Sequence, residues 1–216
     1  MDISTLTTIL SYLVYLALAV VAIWGAYCVT VVWRRTATVR FRTEAQQDAF
    51  LDEIEEPLLA GEFDKVAEMC ENDVRALPQL ILLAVRNRES GFAKVRGMMV
   101  ERFQRDVLSD LEFRLSWVSS IIKSAPMIGL SGTVVGMMAA FDKLADPATG
   151  STGVDPGAMA GTISFALITT AEGLAIAIPL IILATNINIR IRKMEDLMAS
   201  GTARFLELYR QVVTKK

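Results

Sequence analysis

Ile9–Val32 is a run of 24 residues without one charged side chain. At about 1.5 Å per residue, a helix of that length crosses a ~30 Å hydrocarbon core with some tilt. Two further runs follow. Ile121–Phe141 is interrupted only by Lys123, near its start, and Met159–Ala184 carries a single charge, Glu172, near its middle. Each is about the length of a membrane span. Composition agrees: 53% of the chain is hydrophobic and 21% charged, against roughly 45–50% and 25% in soluble proteins. A cleaved signal peptide is the rival reading of the first run. It would want a basic start and an apolar core of about 7–15 residues. Asp2 and no Lys or Arg precede this run, so a retained span is expected.

Charge sets the expected orientation. Residues 34–114 carry 13 Lys or Arg and residues 190–216 carry 7, out of 22 in the chain. Residues 142–157 hold only Lys143 against Asp142, Asp146 and Asp155. The positive-inside rule then places 34–116 and 190–216 in the cytoplasm. The fold class expected is an all-α integral membrane protein with three transmembrane helices and the N-terminus outside. Its segments are 1–33 (short external N-terminus and first span), 34–116 (cytoplasmic helical domain), 117–141 (second span), 142–157 (external loop), 158–189 (third span) and 190–216 (cytoplasmic helical tail). Lys123 sits near the cytoplasmic end of its span, where its ammonium can snorkel.

The cytoplasmic stretch reads as helices over Glu44–Ile54, Glu62–Ala76 and Leu80–Arg88, then a long run from about Phe92, with Gly61 and Pro78 as punctuation. Phe103, Val107, Leu111, Leu115 and Val118 recur at helical spacing and lead into the second span. After the third span, Ile191, Met194, Met198, Gly201, Phe205, Leu208 and Val212 alternate three and four apart. This seam suits packing on the chain's own helices or on a neighbour, and spacing does not separate the two.

Some chemistry is excluded. The chain has no His and two Cys, Cys28 and Cys70. It therefore offers no imidazole ligand, no Ser-His-Asp triad and no disulfide framework. No catalytic residue, metal site or cofactor is expected, and the chain is not read as an enzyme. The net charge of −2 gives no reason to expect nucleic acid.

The polar groups inside the spans carry the functional signal. Gly129, Gly132 and Gly136 fall three and four apart, a spacing that lets helix backbones approach closely in lipid. No Lys follows them as a phosphate loop requires. Thr133 lies in the same span; a lone Thr there commonly returns its hydroxyl to a carbonyl one turn back. Glu172 costs roughly 2.5–3.5 kcal/mol at mid-span on insertion scales and so marks a bundle interior or an ion route. Its alternatives are a proton-carrying carboxyl and a structural one bonded to Thr169 or a neighbouring helix. Thr169 lies near it on the helix, whereas Thr170 and Glu172, two apart, point in different directions. Gly173 continues the small-residue pattern. Pro126 and Pro179 remove backbone donors and are expected to kink their helices.

APMIGLSGTVVGMMAAF (125–141) followed by ALITTAEGLAIAIPLIILATN (166–186) resembles the paired signature of the MotA/TolQ/ExbB proton-channel family. The three-span layout is similar to the TolQ/ExbB branch; the flagellar stator branch typically has four spans. The resemblance implies a bacterial inner-membrane energy transducer. It implies a homo-oligomeric ring, typically a pentamer, around the span of an ExbD/TolR-like partner that carries a membrane Asp. The ring would serve TonB-type transport, Tol envelope function or a related process, through a TonB/TolA-like protein. Thr133 matches the family's pore-facing Thr of the GTV motif, and Thr170 that of the last span. One position departs: ExbB-like members have a Glu five residues before the second Thr, where this chain has Phe165. Glu172, seven residues on and nearly on the same face, is either a displaced equivalent or has another role. A non-conducting scaffold of the same fold is the alternative.

Overall fold

The computed structural model describes residues 3–41, 43–145 and 156–214. Every regular element among them is helical, as the apolar runs and helical spacing implied. The elements are α1 (Ile3–Val39), α2 (Glu44–Leu59), α3 (Phe63–Glu71), α4 (Ala76–Arg86), α5 (Phe92–Phe103), α6 (Ser109–Ala145) and α7 (Pro156–Thr214). A 3-10 turn covers Arg88–Ser90, and a π turn, Gln104–Leu108, joins α5 to α6. Three helices are long and apolar enough to cross a membrane. Of the expected loop at 142–157, residues 146–155 lie outside the described residues.

The chain divides into two compact units: Met1–Thr30 with Leu115–Thr185, and Val31–Arg114 with Asn186–Lys216. In the first, large apolar side chains face outward: Tyr12 is 72% exposed and Ile23 73%. Much of its interior is small, with Ala125, Ala166, Thr169 and Ala177 buried. Lipid tails are as apolar as Leu, so nothing drives large side chains inward, and small residues let helices meet.

The second unit has a conventional core, with Leu51, Ile54, Val66, Leu77, Ile81 and Phe205 buried. Its helix limits differ from the sequence expectation for local reasons. Helix α2 runs past Ile54 to Leu59 and carries Pro57 in its last turn. Gly61 then takes φ +79 and its N–H donates to Leu58 O at 3.1 Å, a left-handed helix stop that glycine allows without a Cβ penalty. Helix α3 stops at Glu71 rather than Ala76 because the Asp73 carboxylate takes the Arg75 N–H at 2.9 Å and its guanidinium as well. That guanidinium lies 4.0 Å above the Phe41 ring. Burial alone would raise the Asp73 carboxyl, but the Arg75 hydrogen bonds and charge outweigh it and hold it below its ordinary value. Pro78 does not separate elements; it sits in the first turn of α4, where a missing N–H costs nothing. Cys70 is fully buried, and burial, then the Asp73 charge, pushes its thiol up to about 12.

The stripe Phe103, Val107, Leu111 and Leu115 has spacings of four, wider than the 3.6 of an α-helix. The π turn supplies the difference, since its i→i+5 bonds take in more residues per turn. Leu111 is buried in consequence. The α7 seam also finds its partner in its own chain. Ile191, Met194, Met198 and Phe205 are buried, and Gln47 of α2 donates Nε2–H to Leu197 O at 2.7 Å. Beyond Phe205 the seam moves: Leu206 and Tyr209 are buried, while Leu208 and Val212 are half-buried. A 3.6-residue helix drifts about 20° per heptad against a strict repeat, which carries the last turns onto new positions.

Candidate functional site

The glycines of α6 lie against the small residues of α7. A Cβ built on Gly129 would fall 2.7 Å from Thr169 O and 3.1 Å from Thr170 Cα. On Gly136 it would fall 2.7 Å from Ala166 Cβ, and on Gly132 2.7 Å from Thr169 Cβ. From the α7 side, a Cβ on Gly173 would meet Ala125 O at 2.7 Å and Pro126 Cα at 3.3 Å. The lower numbers of α6 face the higher numbers of α7, so the pair is antiparallel and touches backbone to backbone. Helix α1 joins through Gly25, whose Cβ would lie 2.8 Å from Leu180 and 3.2 Å from Ile121.

This closeness brings threonine hydroxyls across the seam. Thr170 donates its O–H to Gly129 O at 3.2 Å, and Thr169 donates to the same carbonyl at 3.4 Å and to Ala166 O at 3.0 Å. Gly129 O is reachable because no side chain shields it. Thr169 has no exposed surface, whereas Thr170 and Thr133 are half-buried. Thr133 donates to Leu130 O at 2.6 Å, within its own helix. Sequence reasoning had set Thr169 beside Glu172; the fold turns it into the seam with α6.

Glu172 lies on another stripe. Its side chain is half-buried, and among the described residues no hydrogen-bond or ion-pair partner reaches it. It does not bond Thr169, whose proton is committed to carbonyls. Phe165, seven residues earlier, meets Tyr15 of α1 edge-on with ring centroids 5.3 Å apart. Leu180 likewise meets α1, at Gly25. Sequence reasoning missed Tyr15 and Gly25; a single glycine in an otherwise bulky first span was the available signal. Pro126 and Pro179 lie inside continuous helices, and Pro126 is part of the Gly173 contact.

Comparison with known proteins gives these features a context. The chain is 37% identical over 118 residues to a biopolymer transport protein ExbB homolog of Methanothermobacter thermautotrophicus, covering 54% of this chain and 38% of that protein. It is 39% identical over 88 residues to an ExbB-like 2 biopolymer transport protein of Helicobacter pylori, covering 41% of this chain and 54% of that protein. It is 38% identical over 88 residues to the biopolymer transport protein ExbB of Xanthomonas campestris, covering 39% of this chain and 33% of that protein. The chain thus spans about half or less of the length of these curated relatives. The profile of the MotA/TolQ/ExbB proton channel family matches residues 64–200, which take in α3 to α6, the glycine-threonine seam and Glu172. On that match the chain belongs to the MotA/TolQ/ExbB proton channel family, on its ExbB-like side.

Proposed function

We propose that the chain is the ring-forming subunit of an inner-membrane proton-channel motor. In this reading several copies, five by resemblance, surround the single span of an ExbD/TolR-like partner. Proton flow drives movement of that partner, and a TonB/TolA-like protein carries the work onward to biopolymer transport or envelope function. The three apolar helices lie in the bilayer, with 34–116 and 190–216 on the cytoplasmic side. Thr133 and Thr170, half-buried and polar, line the path. Thr169 holds α7 against α6 behind it. Glu172 relays or tunes the proton.

The observation that carries the reading is Glu172: the one carboxyl in the apolar run Met159–Ala184, half-buried and without a partner among the described residues. A carboxyl so placed is costly unless a polar path serves it. The test is proton uptake by liposomes holding the purified subunit with its single-span partner. Glu172→Gln and Thr133→Val are each expected to lower uptake while the complex still assembles. Full uptake by both would refute these roles.

One observation favours the alternative of a non-conducting scaffold. Where ExbB-like members have a Glu, Phe165 packs on Tyr15, an apolar contact that holds no proton. The same liposomes decide: uptake abolished by removing the partner's membrane carboxyl excludes a scaffold.

A further inference from the structure

In the second unit, α7 presents two opposite faces. One is covered by α2. Gln47 reaches Leu197 O, a Cβ on Gly201 would press on Gln47 and on Leu77 at 2.9 Å, and Arg204 binds Asp52 at 2.5 Å and Glu55 at 3.1 Å. The other face is centred on Thr202 and Leu206, roughly 140–180° round the helix at about 100° per residue, with the seam residue Met198 at its edge. There Thr202, with Met198 and Leu206, which are buried in the chain, forms one bank of an apolar groove of about 770 Å³. Met99, Val100 and Phe103 of α5 form the other bank. Arg96 stands on the α5 side and Arg210 on the α7 side, with Glu195 and Glu207 also on the α7 side. Among the described residues neither arginine has an ion-pair partner.

The covering helix α2 has a matching outer surface. It carries Glu44, Asp48, Asp52, Glu53, Glu55 and Glu56 and no Lys or Arg. Asp48, Asp52 and Glu55 turn to Arg204. Ala45, Ala49, Glu53 and Glu56 are exposed and lie within about 80° of one another on the helix. The two alanines make this face slim enough to enter a groove. Glu53 and Glu56 have no cation of their own among the described residues.

Within one chain the two surfaces cannot meet, because α7 stands between them. We propose that the α5–α7 groove receives α2 of a second copy, head to tail, with Glu53 and Glu56 meeting Arg96 and Arg210. A contact between two different surfaces repeats from copy to copy and closes into a ring when the rotation allows. The proposal deepens the oligomeric reading above and rests on it. It names the surface by which copies join.

Cysteine cross-linking of the full chain in detergent tests it. Ala49→Cys and Ala203→Cys are introduced singly and together, with Cys28→Ala and Cys70→Ala as background. The double variant is expected to give a ladder of cross-linked copies, and neither single variant any. A mixture of the two singles is expected to stop at pairs. Glu53→Arg with Glu56→Arg should abolish the ladder, and adding Arg96→Glu with Arg210→Glu should restore it. Self-linking of the Ala49→Cys variant would show a two-fold contact and overturn the proposal. So would an oligomer seen by native mass without cross-links, which leaves the ring reading intact. A monomer by native mass would overturn both, and cross-links only to another protein would overturn the second-copy assignment.

Discussion

Replacing Gly129 with Ala tests whether the α6–α7 seam is held by backbone contact. The added Cβ would stand 2.7 Å from Thr169 O and 3.1 Å from Thr170 Cα, while ordinary contact begins near 3.4 Å. Both neighbours are backbone atoms of α7, so no side chain can swing aside. The helices must part by roughly 0.7 Å along the tighter contact. That separation stretches the Thr170 bond to Gly129 O, now 3.2 Å, and the Thr169 bond, now 3.4 Å. Overpacking costs about 1–3 kcal/mol, and each lost interhelical bond in a membrane costs about 0.6 kcal/mol on average. Against this, Ala gains about 1 kcal/mol over Gly in helix propensity. The net expectation is a loss of about 1–3 kcal/mol. Unfolding in mixed micelles, followed by fluorescence of Trp24, Trp33 and Trp117, measures it. Gly161→Ala is the control: it lies in α7 with nothing within 4 Å of its added Cβ. It should be neutral or slightly stabilising. Equal stabilities for the two variants would refute the backbone-contact reading.

The remaining predictions concern the second unit. Tyr209 is fully buried, and among the described residues its hydroxyl has no hydrogen-bond partner. Such a group costs about 1–3 kcal/mol, so Tyr209→Phe should leave thermal stability unchanged or raise it; a loss beyond about 1 kcal/mol would count against the assignment. Asp73 is held below its ordinary value by Arg75. A lowered carboxyl contributes stability that is present above its unfolded pKa of about 3.9 and lost as pH falls through the folded value. Wild type should therefore lose more stability below about pH 4 than Asp73→Asn, read by circular dichroism at stepped pH, and identical acid slopes would contradict it.

How much of this was legible in sequence differs from element to element. The charge-free run Ile9–Val32 and its two successors could only be membrane-length helices, because hydropathy and length are local properties that no later contact overrides. The glycines three and four apart in α6 announced a close helix seam for the same reason, since helical periodicity alone puts them on one face. What the seam would meet was not legible. That Thr169 turns into it, that Thr170 shares the Gly129 carbonyl, and that Phe165 seats on Tyr15 depend on how α1, α6 and α7 are rotated about their axes. The ends of α2, α3 and α4 were misread because Pro57, Asp73 and Pro78 act through side-chain and turn geometry rather than through hydrophobic period.

The tail seam of α7 shows the division most clearly. Its period was plain from Ile191 to Phe205, yet spacing is identical for a seam that packs at home and one that packs abroad. The amino-acid order alone determined three apolar spans, an all-α fold and a single mid-span carboxyl. Tertiary structure decided that α2 takes one face of α7 and that a groove remains between α7 and α5. The reason is physical: burial of a stripe is set by period, but the choice of partner is set by shape and charge that come together only when distant segments meet.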